Sequence, residues 1–255
     1  GVIRADHPAE FVAAFERLKR ILIPTGSTEI LVERFIPGFE VALEGILNRG
    51  ALKILALFDK PDPLHGPFFE ETIYVTPSRR PEETQSEIRD CAARAAAALG
   101  LREGPIHAEL RVNEAGPWIV EIAGRSIGGL CSNTLRFGTD VSEEELILRQ
   151  AFGMEIESFS REDRAGGVMM IPIPSAGILK CVEGVTDAEI VPGIESIEIT
   201  AKLNYPIVPL PEGDSYLGFI FARGASPAEV EAALREAHRR LRFEIVPEIS
   251  VLANC

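Results

Sequence analysis

Cysteine is scarce in this sequence, which has four among 255 residues. They lie at positions 91, 131, 181 and 255, with wide, irregular spacing and no Cys-x-x-Cys pair. Zinc ribbons need closely spaced cysteine ligands, and small disulfide-stabilised domains need many cysteines. The sequence therefore disfavours both classes. Isolated thiols are typical of the reducing cytoplasm, where we expect this protein.

Positive charge and long apolar runs are also in short supply. Twenty-six Lys and Arg residues oppose 39 Asp and Glu residues, which gives a formal net charge of −13. A field of this sign repels nucleic acid and anionic lipid surfaces, so we expect neither as a partner. The longest weakly polar run, 166–179, contains two prolines and is shorter than the roughly 20 residues of a membrane helix. The sequence shows no signal peptide.

Core-forming residues are plentiful, because 46% of the chain is hydrophobic and 25% is charged. Caps and helical apolar spacing predict helices at 10–22, 86–99, 142–152 and 226–241. Runs of β-forming residues predict strands at 29–36, 39–47, 52–58, 71–75, 107–112, 118–122, 167–173, 195–200 and 216–222. The strands cluster into hairpins instead of alternating with helices, which predicts an α+β fold with antiparallel sheets.

A polar stretch at 155–165 divides the chain into two predicted units, residues 1–155 and 156–255. Both have the size of small domains. The sequence begins at Gly1 instead of Met and enters Gly-Val-Ile-Arg-Ala-Asp without a lead-in. We therefore expect a fragment of a longer protein.

The most informative segment predicts a hairpin with a three-residue loop at 114–116. If Asn113 faces Pro117, then Glu109 faces Glu121 on the neighbouring strand. Directly opposed residues have Cβ atoms roughly 4.5–5.5 Å apart, and like charges in such a pair destabilise a hairpin. A shared proton or a shared divalent cation would offset the repulsion. Carboxylate ligands without Cys or His favour magnesium or manganese.

Arg125 follows this hairpin in a glycine-rich turn. There its guanidinium could hold a carboxylate or stabilise charge on a transferring phosphoryl group. The alternative is a solvated hairpin whose acids pair with Arg111 or with lysines, because exposed glutamate is common. The spacing alone favours this alternative.

Glu33 and Glu40 flank a Pro-Gly break, with the backbone of Phe35 and Ile36 between them. Such a bend can present main-chain N–H and C=O groups to an adenine, and a carboxylate can accept from both ribose hydroxyls. From the residues alone, an ordinary connection with solvated acids is the better interpretation.

Four other polar residues carry weaker expectations. His107 could orient a ligand, but local packing or hydrogen bonding is the more usual role of such a histidine. Lys60 could reach a phosphate, but a loop lysine beside two acids is more typical of the surface. Glu70 and Glu71 could lie near the amine side of a cleft, and the sequence assigns them no role.

Five stretches, through their order and spacing, resemble the ATP-grasp superfamily and in particular its carboxylate–amine ligase branch, which includes the L-amino acid ligases. These stretches are 1–6, 32–40, 58–62, 107–109 and 121–129. Segments 167–174, 191–193 and 216–222 are similar to the extra C-terminal domain of L-amino acid ligases. The resemblance implies an antiparallel-sheet ATP-grasp subdomain, at 1–155, followed by a smaller α+β domain, at 156–255.

The resemblance also implies the chemistry of the hairpin. Glu109 and Glu121 match the acids that bind Mg²⁺ or Mn²⁺ between the phosphates of ATP. Arg125 matches the arginine that stabilises the acyl phosphate and the tetrahedral species. Many ATP-grasp enzymes have Asn two residues after the second acid. This chain has Ala123 there, which points to the dipeptide-ligase branch.

A nucleotide site is implied by the same likeness. Glu33 and the backbone of Phe35 and Ile36 match the segment that contacts adenine, and Glu40 matches the acid that binds ribose. The family has an N-terminal domain and a phosphate-binding lobe, which would precede Gly1.

The function implied by the resemblance is ATP-dependent amide formation through an acyl phosphate, with amino acids as the expected carboxylate and amine. Without the phosphate-binding lobe, we expect this chain to bind Mg²⁺ or Mn²⁺ weakly and to be inactive alone. One alternative is a non-catalytic ATP-grasp module, and another is a ligase or carboxylase of the purine-pathway or biotin carboxylase type. A homodimer stays open.

Overall fold

The computed structural model describes residues 1–248, which form an α+β fold and confirm the predicted class. The helices are α1 (Pro8–Leu22), α2 (Glu82–Ala98), α3 (Glu143–Ala151), α4 (Val185–Glu189) and α5 (Pro227–Arg240). The strands are β1 (Phe39–Asn48), β2 (Ala51–Asp59), β3 (Ile73–Thr76), β4 (Gly104–Asn113), β5 (Gly116–Ala123), β6 (Ala165–Ile171), β7 (Gly177–Glu183), β8 (Ile194–Ile199), β9 (Pro206–Ile207), β10 (Gly218–Gly224) and β11 (Arg242–Val246). Cys255 lies outside the described residues.

An antiparallel sheet of eight strands dominates the fold, in the order β5-β4-β1-β2-β3-β6-β10-β8. A smaller sheet has the order β11-β7-β9. Strands β3 and β6 pair directly, so hydrogen bonds of the large sheet cross the boundary predicted near residue 155. The division into 1–155 and 156–255 stays a prediction. The last seven residues of the second unit lie outside the described range.

The side chains of strand β1 alternate between the two sides of the sheet. Those on one side are apolar, and those on the other side include both apolar and acidic residues. On the first side, Val41, Leu43 and Leu47 pack with the buried face of α2. On the other side, Ala42 and Ile46 join the cluster around Phe58 and Leu146. Glu40 and Glu44 share this second side by the same alternation, which places two acids within the buried sheet.

Local capping explains why two helices begin where the sequence predicts. The hydroxyl oxygens of Ser142 and Ser226 accept hydrogen bonds from the backbone N–H groups three residues later, at Glu145 and Glu229. The predicted start of the second helix at Ser86 is wrong, because α2 begins at Glu82. Two acids in its first turn favour this earlier start through the helix dipole.

The strand predicted at 29–36 is also wrong. Residues 27–37 have no regular secondary structure, and no strand among residues 1–248 pairs with them. β-forming residues make a strand only where a neighbour accepts their backbone hydrogen bonds. Strands β7, β9 and β11 and helix α4 were not predicted. Among residues 1–248, no helix has the length and apolarity needed to cross a membrane.

Candidate functional site

The β4–β5 hairpin brings the two predicted metal-binding acids together. Glu109 pairs with Glu121, as predicted, so both side chains leave the same face of the sheet. The predicted register at the turn is wrong, because Asn113 pairs with Gly116. An irregularity beside Glu109 leaves Val120 without a partner and restores the Glu109–Glu121 pair. Gly116, at φ +99°, supplies the left-handed conformation of the turn.

Lys60 lies at the centre of this face, and the expectation of a surface residue is wrong. Its side chain is 3% exposed. Its Nζ donates to Oε1 of Glu40 at 2.7 Å, of Glu71 at 2.5 Å and of Glu109 at 2.9 Å. The pair Val41–Asp59 ends the β1–β2 ladder, so Lys60 comes next and points to the same face as Glu40. One ammonium therefore holds three carboxylates together.

We call Glu40, Lys60, Glu71 and Glu109 the Lys60 cluster. The positive charge of Lys60 and the negative charges of the acids favour each other's ionised forms. Burial lowers the pKa of Lys60, but the three carboxylates outweigh burial and raise it above its usual range. Burial raises the pKa of Glu109, but His107 and Lys60 outweigh burial and lower it. Burial raises the pKa of Glu71, and Lys60 only partly opposes this. Lys60 is thus a fixed positive charge, and Glu109 is ionised at neutral pH.

His107 joins the Lys60 cluster to a second buried acid. Its Nδ1 is hydrogen-bonded to Oε1 of Glu44, and its Nε2 lies 3.5 Å from Oε1 of Glu109. Burial lowers the pKa of His107, but its bonds to the two acids outweigh burial and raise the pKa to about 9. The sequence expectation of local hydrogen bonding is confirmed, and both partners are acids of the site.

Glu143 is a further buried acid beside Glu44. Its residue is 0% exposed, and neither of its carboxyl oxygens meets a donor within residues 1–248. Burial, together with the negative charge of Glu44, raises the pKa of Glu143 to about 9. The carboxyl group is therefore protonated at neutral pH. In that form its O–H can donate a hydrogen bond to Glu44, so the buried carboxyl group is no longer without a hydrogen-bond partner.

Glu121 and Arg125 form the exposed side of the site. Their side chains are 55% and 53% exposed, and Arg125 Nη2 lies 3.2 Å from Glu121 Oε1. Arg125 also donates to the carbonyl oxygen of Ser126 at 2.9 Å. An exposed arginine bound to one carboxylate can turn toward a substrate, because a surface ion pair is worth only about 1 kcal/mol or less.

The predicted nucleotide segment lies at the other end of this face. Glu33 is exposed, and Phe35 stacks on Phe69 with ring centroids 6.0 Å apart. The carbonyl oxygen of Ile36 accepts from Arg111 Nη1 at 3.1 Å. Gly38 follows with φ +126°, where a Cβ would lie 2.2 Å from a backbone carbonyl oxygen of β4, so only glycine allows this approach.

Glu40 connects the nucleotide segment to the Lys60 cluster. It is 8% exposed and faces Arg111 across the β1–β4 ladder. Arg111 Nε donates to Glu40 Oε2 at 2.7 Å, and Lys60 donates to Oε1. The alternative interpretation paired the hairpin acids with Arg111 or with lysines. Arg111 pairs with Glu40 instead, whereas Glu109 does pair with a lysine, Lys60. A carboxylate has about four acceptor positions, so Glu40 keeps capacity for another donor.

The donor set suits a hard divalent cation. Glu109 and Glu121 offer carboxylate oxygens from directly opposed positions, the ligand type that Mg²⁺ and Mn²⁺ prefer. The contacts of Lys60, Tyr74 and His107 with Glu109 all meet Oε1. Oxygen atoms of Glu40, Glu71 and Glu109 also lie within 4.8 Å of one another, but Lys60 already lies among them. The hairpin pair is therefore a better candidate for metal binding than this trio.

Several residues of the site escaped sequence reasoning. Glu44 had a usable signal, because a charge inside the apolar run of β1 indicates a buried acid. Lys60, Glu71 and Glu143 had none, since each depends on a partner in another segment of the fold. Tyr74, whose hydroxyl donates to Glu109 at 3.2 Å, belongs with them.

Comparison with known families covers most of the chain. Residues 1–134 match the ATP-grasp domain, and residues 169–246 match L-amino acid ligase C-terminal domain 2. The fold matches the crystal structure of L-amino acid ligase from Bacillus licheniformis with a TM-score of 0.83 and 28% sequence identity. That match covers 98% of this chain and 63% of the ligase.

Two curated relatives share the N-terminal part of this similarity. Carnosine synthase 1 of Gallus gallus is 31% identical over 139 residues, 54% of this chain and 14% of the relative. Alanine–anticapsin ligase of Bacillus subtilis (strain 168) is 28% identical over 152 residues, 52% of this chain and 32% of the relative. The chain therefore spans less than half the length of either protein.

Proposed function

Because the chain belongs to the ATP-grasp domain family, we propose that it takes part in the ATP-dependent ligation of a carboxylate to an amine, and that both substrates are amino acids. The carboxylate–amine ligases among its relatives and its L-amino acid ligase C-terminal domain support this proposal. The observation that carries it is the Glu109–Glu121 pair with Arg125 bound to Glu121. Scattered free thiols favour the cytoplasm as its location.

The proposed reaction has two steps. A carboxylate oxygen of the first substrate attacks the γ-phosphorus of ATP, which gives an acyl phosphate and releases ADP. The amine of the second substrate then attacks the acyl carbon, and phosphate and a proton leave as the amide forms. Bound Mg²⁺ would supply positive charge to the phosphate oxygens. Negative charge also builds on oxygen in both steps, so a mobile guanidinium nearby lowers the barrier.

Each side chain of the hairpin has a part in this proposal. Glu109, fixed by Lys60 and His107, would provide one rigid ligand to the metal ion, and Glu121 would provide an accessible one. Arg125 would turn from Glu121 to bind the phosphoryl group, since an exposed ion pair is weak. The assignment rests on the shared face of the hairpin and on the ionised state of Glu109.

The nucleotide would lie toward the bend at 33–40. We propose that Glu33 and the backbone of Phe35 and Ile36 contact adenine, and that Glu40 accepts from the ribose. Arg111 already holds the carbonyl of Ile36, so the N–H of Ile36 and the neighbouring main chain are the groups left for the base.

A carboxylase or purine-pathway ligase is the second candidate, because ATP-grasp domains occur there as well. The match at 169–246 to an L-amino acid ligase domain favours amino-acid ligation over it. A panel of amino-acid pairs tests the choice, with bicarbonate as the competing substrate.

Metal binding and ligation test the proposal together. Titration of the chain with Mn²⁺, followed by the EPR signal of free Mn²⁺, should show one site that Glu121→Gln weakens at least about tenfold. Glu114→Gln is the matched control, since Glu114 is an exposed acid at the tip of the same hairpin. Phosphate release with ATP, Mg²⁺ and pairs of L-amino acids reports ligation, and it is measured on a longer protein that includes the phosphate-binding lobe, since we expect this chain to be inactive alone. Equal Mn²⁺ affinity in both variants would contradict the metal assignment.

A further inference from the structure

Glu44 is completely buried in the middle of β1, yet it is an acid. It is 0% exposed, and its neighbours Leu43 and Ile46 are core residues. Burying a carboxylate is costly unless it is hydrogen-bonded. A strand that needed only packing would gain stability from an apolar residue at this position.

The two carboxylate oxygens of Glu44 reach two different parts of the chain. Oε1 is hydrogen-bonded to Nδ1 of His107 on β4. Oε2 accepts from the backbone N–H of Ile127 at 3.0 Å. One rigid side chain therefore joins a residue of the hairpin to the turn that follows it.

Each contact leads to a different group of the proposed active site. The other nitrogen of His107 lies 3.5 Å from Oε1 of Glu109, the partly buried acid proposed as a metal ligand. Ile127 lies two residues after Arg125, and its side chain is packed in the core at 8% exposure. The pairing of Ala123 with His107 holds the turn that carries Arg125 on one side, and the Ile127 N–H holds it on the other.

We propose that Glu44 is a positioning residue that fixes the Glu109 carboxylate and the Arg125 turn relative to each other, through His107 on one side and the Ile127 N–H on the other. The inference rests on the proposed function, in which Glu109 binds the metal ion and Arg125 binds the substrate, so that their relative position matters for the reaction. Neither contact requires Glu44 to touch the substrate.

Two variants separate this role from a purely structural one. Glu44→Gln preserves the shape of the side chain. His107 and the Ile127 N–H meet different oxygens of Glu44, and the amide puts an NH2 group, which cannot accept, in place of one of them. His107→Asn keeps a donor near the position of Nδ1, toward Glu44, and lacks the atom that reaches Glu109. Glu144→Gln is the control, because Glu144 is an exposed acid in α3.

Three measurements are made on each variant of this chain: thermal unfolding, Mn²⁺ affinity and hydrogen exchange at the Ile127 amide. Glu44→Gln should weaken Mn²⁺ binding about tenfold and speed Ile127 exchange about tenfold or more. His107→Asn should weaken Mn²⁺ binding to a similar extent while the Ile127 amide stays protected. Glu144→Gln should change neither. This split pattern is not expected from a residue that only stabilises the fold.

The outcomes distinguish this inference from the proposed function. If folded Glu44→Gln and His107→Asn bind Mn²⁺ within about twofold of the unaltered chain while Glu121→Gln does not, the positioning role is wrong and the metal site stands. If the unaltered chain binds no Mn²⁺, the proposed metal site fails and the inference fails with it. If Glu44→Gln does not fold, His107→Asn decides by the same criterion.

Discussion

Lys60 and Glu109 are 49 positions apart in the sequence, yet Lys60 Nζ donates to Glu109 Oε1 at 2.9 Å in the buried part of the site. The contact contributes to the charge state of both groups. Together with Glu71 and Glu40 it raises the pKa of Lys60 against burial, and together with His107 it lowers the pKa of Glu109. A permanent cation among acids also keeps the Lys60 cluster intact without any metal ion.

Replacement of Lys60 by Met should strongly destabilise the protein. Removing one partner of a buried ion pair costs about 3–5 kcal/mol, and here three carboxylates lose their common donor. Urea unfolding at neutral pH measures the change. Lys53→Met is the matched control, because Lys53 is exposed on β2 and should change stability by about 0.5 kcal/mol or less.

The same Lys60→Met variant should respond to divalent cations more than the unaltered protein does. Oxygen atoms of Glu40, Glu71 and Glu109 lie within 4.8 Å of one another, so a metal ion can replace the lost ammonium. Millimolar Mg²⁺ or Ca²⁺ should restore part of the lost unfolding free energy. If divalent cations raise the unfolding free energy of the variant and of the unaltered protein equally, they do not bind where the Lys60 ammonium was removed, and the prediction is wrong.

Arg125→Ala should separate activity from stability. The side chain is 53% exposed and its partner Glu121 is 55% exposed, so the ion pair contributes about 1 kcal/mol or less to folding. Loss of a group that binds the transferring phosphoryl should instead slow ligation by about 100-fold or more. Thermal unfolding measures the effect on stability, and amino-acid-dependent phosphate release by a longer protein that includes the phosphate-binding lobe measures the effect on ligation. Arg94→Ala, on the exposed face of α2, is the control and should change neither stability nor ligation rate. If Arg125→Ala also leaves the ligation rate unchanged, Arg125 has no part in the proposed chemistry.

Sequence reasoning found the Glu109–Glu121 pair because alternation along a strand and a glycine at the turn are local features. It missed the position of the turn, because the extra residue Val120 shifts the pairing between Glu109 and the turn by one position. Where such an irregularity falls depends on the twist of the whole hairpin and not on a local motif. Two errors, at the turn and at the irregularity, compensated for each other. The family resemblance pointed to the same pair of acids independently of this register.

Contacts between distant segments lay beyond the sequence. The helix starts at Ser142 and Ser226 follow from residues three positions apart, so they were predictable. The Lys60 cluster needs β1, β2 and β4 to be neighbours in one sheet, which no local pattern specifies. The strand predicted at 29–36 fails for the same reason, because strand formation depends on a partner and not on propensity alone.

The stability of the protein should fall as the pH rises through the range in which His107 titrates. Its pKa is about 9 in the folded state, against 6.5 for an unperturbed histidine. A raised histidine pKa stabilises the fold fully below pH 6.5, and that contribution is lost as the pH rises through about 9. Urea unfolding across this range should show a decline. The decline should be shallower in His107→Asn, and an equally steep decline would assign the pH dependence to other groups.

Glu143→Gln should stabilise the protein at alkaline pH. The folded state keeps Glu143 protonated up to a pKa of about 9, whereas the unfolded acid ionises near 4.5. The unfolded state therefore binds fewer protons between these values, and the stability of the unaltered protein falls as the pH rises. The glutamine amide donates to Glu44 without a titrating proton. The variant should thus gain about 1–3 kcal/mol at pH above neutrality and little in mild acid. Glu144→Gln, the exposed neighbour in α3, is the control, and a pH profile shared by both variants would contradict a protonated Glu143.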